Sequence, residues 1–372
     1  MARSAEVVVV GGGVVGASVA WHLAERGLRG VVVVDQGAFG GGTTAKGAGG
    51  VRSQFGDPAE VAFSRYSLDF YRRFAEQVGG DCGFTSCGFL VLLRDEAAVA
   101  RYREMAAQGR AAGVDWRILR PEEVAALVPE INLDGVRAGS FTPHDGVASP
   151  PLAAQQMLQS AVARGVEARP NTAVTGFRFA GERLEAVETS RGPIAARWAV
   201  IAAGPWTAQV GQLAGLTLPV APMRRHLFTT APTPLLRNAP MTIDHASGWY
   251  FRVEADHLLV SAGEMTPAPE FDVALRPEVA ERARAGLKQL LPRLGEIPFT
   301  AARAGLREMT PDEKALIGRA PDREGLLVAA GFSGHGFMHA PAAGRAIADV
   351  ILQGATSFDL TPFDPGRFVE NN

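Results

Sequence analysis

Ten residues into the chain an apolar run, Glu6–Val10, breaks into Gly11-Gly12-Gly13-Val14-Val15-Gly16, and a second run, Val31–Val34, ends on Asp35. This spacing serves the backbone. Gly11 permits a tight turn, Gly13 lets the main chain approach a pyrophosphate, and Gly16 lets a helix pack closely on a strand. A helix opening at Val14 and Val15 aims unpaired N–H groups and the positive end of its dipole at phosphates. Asp35, nineteen residues beyond Gly16, is placed with its neighbour Gln36 to accept hydrogen bonds from ribose hydroxyls, and its charge disfavours a 2′-phosphate. The chemistry these residues suit is the binding of a dinucleotide. The loop that follows, Gly37–Gly50, carries Thr43, Thr44, Lys46, Gly49 and Gly50 and leads into Val51-Arg52-Ser53-Gln54-Phe55. It is too glycine-rich for a core element, and wrapping a cofactor's phosphates is its natural use.

Those residues need a strand–helix–strand unit to hold them. The apolar spacing predicts a strand over Glu6–Val10, a helix over Val14–Leu23 stopped at Gly27, and a strand over Val31–Val34. Ala59–Val78 reads as one helix whose aromatic stripe faces a core. Phe89–Leu93 reads as a strand, and Asp95–Gly113 and Pro121–Leu127 as helices of a solvated lobe. The stretch His144–Pro151 is a turn in which Ser149 caps a helix running over Leu152–Arg164, with Pro150 and Pro151 in its first turn. Short strands are expected at Val166–Arg169, Ala173–Ala180, Arg183–Ser190 and Gly192–Arg197. Trp198–Ala203 is apolar throughout, as an interior parallel strand should be. From Thr217 to about Pro311 the pattern alternates, with strands at Met223–Thr230 and Trp249–Ala262 and one helix, Pro277–Leu291. Tyr250 and Arg252 share a face there and are expected to line a cavity from this second lobe. Leu326–Ala330 is a further buried strand, and a long helix runs from the glycine-rich Gly331–Phe337 to Leu352.

Composition bounds the function. In 372 residues, 47% hydrophobic content supplies a core, and 39 acids against 37 bases offer no global attraction for nucleic acid or anionic membranes. The first strand begins near Met1, leaving no charged leader, and no stretch approaches a transmembrane span, so a cytoplasmic enzyme is expected. Cys82 and Cys87 are too few for a disulfide framework or a structural zinc site, and no metal is expected. Three of the basic residues are lysines, Lys46, Lys288 and Lys314, and the others are arginines.

Gly11–Gly16 with Asp35, Val200–Thr207 (VIAAGPWT) and Leu327–Gly336 (LVAAGFSGHG) together resemble the D-amino-acid oxidase group of flavoproteins. That group takes in glycine oxidase, sarcosine oxidase, the β subunit of dye-linked proline dehydrogenase and D-arginine dehydrogenase. The resemblance spans the whole chain. It implies an α/β fold: a Rossmann-type FAD-binding domain with an interleaved, antiparallel-sheet-based α+β substrate domain. The corresponding boundaries are 1–80, 144–216 and 312–372 for the FAD-binding domain and 81–143 and 217–311 for the substrate domain. Ala203, Gly204 and Trp206 of one motif and Gly331, Gly334, His335, Gly336, Phe337 and Met338 of another are implied to touch FAD. At Gly334–Phe337 a helix N-terminus suits the flavin edge where negative charge develops on reduction. The implied reaction is oxidation of a C–N bond next to a carboxylate, with a small amine substrate and oxygen or another electron acceptor.

A carboxylate clamp asks for a planar, permanently charged donor, which is arginine. Arg307, in Ala304-Gly305-Leu306-Arg307, resembles the carboxylate-binding arginine of glycine oxidase and D-arginine dehydrogenase. Arg52 matches a flavin-facing arginine of sarcosine oxidase, and Arg225 a second substrate-side arginine of D-arginine dehydrogenase. Tyr250 and His335 complete the expected catalytic set. No cysteine stands upstream of Thr310-Pro311-Asp312, where monomeric sarcosine oxidase carries its flavin cysteine, so FAD is expected to be non-covalent. Met338 replaces a lysine of that enzyme, and no lysine lies in Trp249–Ala262, which leaves oxidase and dehydrogenase both open. Two other readings stand beside this one: a 2-hydroxy-acid dehydrogenase on the same fold, and an FAD-binding subunit that relays electrons within a heteromeric complex.

Overall fold

The valines of Val7–Val10 and Val31–Val34 are buried, and β-branched residues with apolar neighbours on both sides form interior parallel strands. Burying each such side chain contributes about 1.5–3 kcal/mol. In the computed structural model, which describes residues 4–269 and 271–368, Ser4–Val10 lies between Val31–Val34 and Ile194–Ile201, parallel to both. Leu326–Ala330 continues the sheet beyond Ile194–Ile201, also parallel, and Leu316–Arg319 closes that edge antiparallel. Glu167–Arg169 forms the other edge, and a hairpin of Val174–Ala180 and Arg183–Thr189 branches from Ile194–Ile201. One eight-stranded sheet thus gathers strands from the start, middle and end of the chain.

The second sheet has nine strands and is antiparallel except where Met241–Asp244 runs parallel to Phe89–Leu93. Its longest ladder joins Ala221–Thr230 to Phe299–Met309 and sets Arg225 opposite Gly305 and Met223 opposite Arg307. Directly opposed residues of an antiparallel pair share a face, so Arg225 and Arg307 are diagonal neighbours on one side of the sheet. The mixed α/β architecture agrees with the expected fold class.

Several elements differ from the sequence reading. The expected helix Ala59–Val78 breaks at Arg73 into Pro58–Arg72 and Phe74–Val78, and Asp57 caps its start by accepting the Ala59 N–H. Gly192–Arg197 and Trp198–Ala203 merge into the single strand Ile194–Ile201. Trp249–Ala262 is a hairpin, Tyr250–Glu254 and His257–Ser261, turning at Ala255 with φ 56°. Within the expected loop Gly37–Gly50, Thr43–Lys46 forms a 3₁₀ turn, and Gly50–Val51 pairs with Gly146–Val147.

The last helix, Gly336–Gln353, contains Pro341. Proline has no N–H for the carbonyl four residues earlier, that of Phe337. The Tyr71 hydroxyl donates to that carbonyl at 2.7 Å, and Ser67 Oγ accepts the Ala342 N–H at 3.2 Å. The helix Pro58–Arg72 therefore satisfies the broken turn and fixes the direction in which the last helix starts. The first helix, Val14–Glu25, packs on the last so closely that a Cβ on Gly344 would sit 2.2 Å from Ser18 Oγ, and Arg26 pairs with the buried Asp349.

Candidate active site

Gly11 adopts φ +110°, and a Cβ there would lie 2.2 Å from the Ala202 carbonyl oxygen; one on Gly16 would lie 1.9 Å from the Gly11 carbonyl oxygen. Both positions exclude any side chain, so the turn and the close helix–strand contact need glycine. The Asp35 carboxylate accepts the Gly12 N–H at 2.7 Å and the Gly37 N–H at 2.8 Å, tying the glycine turn to the end of the second strand. Thr44 Oγ1 accepts the Val14 N–H at 3.0 Å, which folds the Gly37–Gly50 loop over the start of the first helix.

Above this turn lies a cavity of about 1070 Å³, at the upper end of the range for small-molecule sites and suited to an extended ligand. Gly11, Gly13, Val14, Val15, Asp35, Gln36, Thr43, Thr44, Lys46, Gly49 and Gly50 line it, as do Ala203, Gly204, Trp206, Gly334, His335, Gly336, Phe337 and Met338. Gly16, Val51 and Gly331 do not. Gly16 faces the Gly11 carbonyl, Val51 is fully buried, and a Cβ on Gly331 would meet Thr310. Their roles lie in packing behind the lining.

Arg52, Arg225, Arg307 and Tyr250 line the same cavity. Arg225 is braced by donating Nε–H to the Glu264 carbonyl at 3.1 Å and Nη2–H to the Gly263 carbonyl at 2.6 Å, with its guanidinium 5.5 Å from the Tyr250 ring centre. Arg52 stacks 4.7 Å from the Phe55 ring centre and donates Nη2–H to His335 Nε2 at 3.1 Å. A guanidinium only donates, so Nε2 is the acceptor nitrogen and Nδ1 carries the ring proton of neutral His335. Burial, then Arg52, His339 and Arg307, hold His335 well below its ordinary pKa. Arg307 packs against Gly334, where a Cβ would come within 2.8 Å of its guanidinium. Burial first and Arg225 second pull its pKa down to about 10, which leaves it protonated at neutral pH. Among the described residues no hydrogen bond or ion pair engages it. Arg252 departs from expectation: it is buried, pairs with Glu254 and lies outside the cavity lining. Two residues beyond Tyr250, the strand has already passed the cavity.

Sequence reasoning missed three carboxyl groups of the site. Asp145, fully buried, accepts the Ser53 N–H at 2.7 Å, the Ser53 hydroxyl at 2.8 Å and the Thr142 hydroxyl at 2.5 Å, which fixes the backbone next to Arg52. Glu264 uses Oε1 for the His226 N–H at 2.6 Å and His226 Nδ1 at 2.9 Å, leaving Oε2 buried without a partner. Glu308 lines the cavity, accepts the Gly331 N–H at 3.0 Å, and is pushed by burial up to about 7. An isolated carboxylate has no periodic signal in sequence. Only the sheet register that makes Glu308 the neighbour of Arg307, in a strand opposite Arg225, points to any of them.

A family model described as DAO, FAD dependent oxidoreductase, matches residues 6–350. The chain belongs to this family. The mitochondrial sarcosine dehydrogenase of Mus musculus is 29% identical over 98% of the chain, which spans 41% of that protein; the chain is thus about two fifths the length of the sarcosine dehydrogenases it matches. Glycine oxidase of Geobacillus kaustophilus is 29% identical over 99% of the chain and 98% of that enzyme. The crystal structure of L-proline dehydrogenase from P. horikoshii superposes with a TM-score of 0.94 at 30% identity, covering 99% of this chain and 98% of that one.

The residues present fit the family's FAD. The cavity is large, and its lining includes a glycine turn that leaves no space for a Cβ at Gly11, the threonine- and lysine-bearing loop that folds over that turn, and the opening of the last helix at Gly336. Among the described residues no helix is long and apolar enough to cross a membrane, and no cluster suits a metal ion.

Proposed function

We propose that the protein oxidises the C–N bond next to a carboxylate in a small amine or amino acid, N-substituted or of D configuration, with FAD held non-covalently. The carrying observation is Arg307: a protonated guanidinium facing the cavity with no partner among the described residues, flanked by Arg225 and Arg52. Its planar fork suits a bidentate grip on a carboxylate, and that grip fixes which C–H faces the coenzyme. When bound, FAD supplies the hydride acceptor. Tyr250, packed beneath Arg225, forms a wall of the substrate space. His335 stays neutral and accepts from Arg52, so its acceptor nitrogen is committed. That removes His335 as the base a 2-hydroxy acid needs for its hydroxyl proton, whereas a neutral amine supplies its own lone pair. Neither Cys82 nor Cys87, the only cysteines, lines the cavity, in keeping with a non-covalent coenzyme. The electron acceptor is oxygen or another carrier, and a partner subunit is compatible with the reading.

Anaerobic mixing of the yellow holoprotein with glycine, sarcosine, L-proline and D-amino acids, followed at the flavin band, tests this. Bleaching by carboxylate-bearing amines but not by 2-hydroxy acids is expected. Bleaching only by the hydroxy acids, or by none of the panel, overturns it; the latter result belongs to an electron-relaying subunit.

A further inference from the structure

The cavity holds more positive charge than one carboxylate offsets. Arg52, Arg225 and Arg307 all face it, and none of the three forms an ion pair among the described residues. The acids nearby offset only part of this charge. Glu264, whose Oε1 accepts from His226, is one carboxyl group against three guanidinium groups and acts on Arg307, and Glu308, pushed by burial up to about 7, carries only part of a charge at neutral pH. Burial makes this excess costly, because unpaired cations removed from water are compensated only by an opposing charge with hydrogen bonds.

The donor inventory gives the same answer. A guanidinium has five N–H donors and a carboxylate about four lone pairs. Among the described residues Arg307 has every donor free; Arg225 retains Nη1 after bracing itself on two carbonyls; and Arg52 has Nη1 free and a buried Nε with no acceptor. A single carboxylate gripped by Arg307 leaves the Arg225 nitrogen, which reaches the cavity from the second sheet, without a partner, and Arg52 as well where the flavin does not take its donors. The three side chains are also held apart by the fold. Arg225 is pinned from the Gly263–Glu264 side of the sheet, Arg52 is stacked on Phe55, and Arg307 packs against Gly334. Three separately braced guanidinium groups around one cavity offer donors for more than one carboxylate.

Resting on the reading that Arg307 holds a substrate carboxylate, we infer that the substrate class is an amine bearing two carboxylates, with the second taken by Arg225 or Arg52. An acidic amino acid or an N-carboxyalkyl amino acid has this form.

The test separates binding from turnover. Oxidised holoprotein is titrated with the inert acids propionate and succinate at constant ionic strength, reading the perturbation of the flavin spectrum, for the natural chain and for Arg225→Gln and Arg52→Gln. Succinate is expected to bind at least about tenfold more tightly than propionate, the scale of one further charged hydrogen-bond pair, and at least one variant should bring that ratio close to one. Equal binding of the two acids by the natural chain overturns the inference, as does a preference that survives both substitutions. The two readings fail differently. If sarcosine bleaches the flavin while succinate shows no preference, the amine chemistry stands and the dicarboxylate falls. If succinate is preferred and no amine bleaches the flavin, the double anion site stands and the amine reading falls.

Discussion

Among the described residues Arg307 uses none of its donors on the protein, whereas the buried Arg224 pairs with Asp272 and the half-buried Arg26 with Asp349. A protein keeps such a group where a ligand completes it. Arg307→Ala is therefore expected to weaken carboxylate substrates by about 2–5 kcal/mol, the range for truncating one partner of a buried charge pair. Flavin-reduction constants for one substrate over both proteins measure it, and equal constants remove Arg307 from the site. Arg307, Arg52 and Arg225 were legible in sequence through motif resemblance. Glu264 and Asp145 were not, because their significance comes from burial beside a cation far away in the chain; Glu308 was not, because its burial against the Gly331 N–H depends on a segment distant in sequence. Arg252 misled for the converse reason: alternation gives the face of a strand but not how far along it a cavity extends.

At the scale of elements, runs such as Val31–Val34 were legible because a strand buried on both faces has no polar alternation to confuse it. The hairpin at Ala255 was not. Its turn places alanine at φ 56°, a conformation that sequence ordinarily signals with glycine or asparagine. Likewise nothing local announces that Tyr71, read as part of an aromatic core stripe, supplies the hydrogen bond that Pro341 cannot. The contact between the first and last helices rests on small residues. Gly344→Ala drives a methyl group into Ser18, whose backbone carbonyl carbon would lie 2.7 Å away, so the helices must part. A loss of roughly 1–3 kcal/mol is expected for such overpacking. Thermal unfolding measures it, and an unchanged transition midpoint shows that the two helices are free to slide.

At the scale of the molecule, acid should destabilise the fold through histidines buried neutral. Burial pulls His22 down to about 4 and His339 to about 3, against the ordinary 6.5. Because the folded pKa is the lower one, the unfolded chain binds more protons below pH 6.5. Stability is then lost as pH falls, by up to about 1.4 kcal/mol per pH unit for each histidine. Glu60 and Glu308, both raised to about 7, act in the opposite sense between their unfolded and folded values. Comparing His339→Asn with the natural chain cancels their contributions. The variant should lose less stability between pH 6.5 and 4 in denaturant titrations, and parallel pH profiles contradict the assignment. The eight-stranded sheet bears on how the protein is made. Leu326–Ala330, from the far end of the sequence, is the parallel partner of Ile194–Ile201. On the ribosome that inner strand waits as a bare, apolar border until nearly everything has been translated, a period in which nascent chains can join edge to edge. Chaperone cover during the interval between translation of those two segments should therefore raise the soluble fraction of recombinant protein.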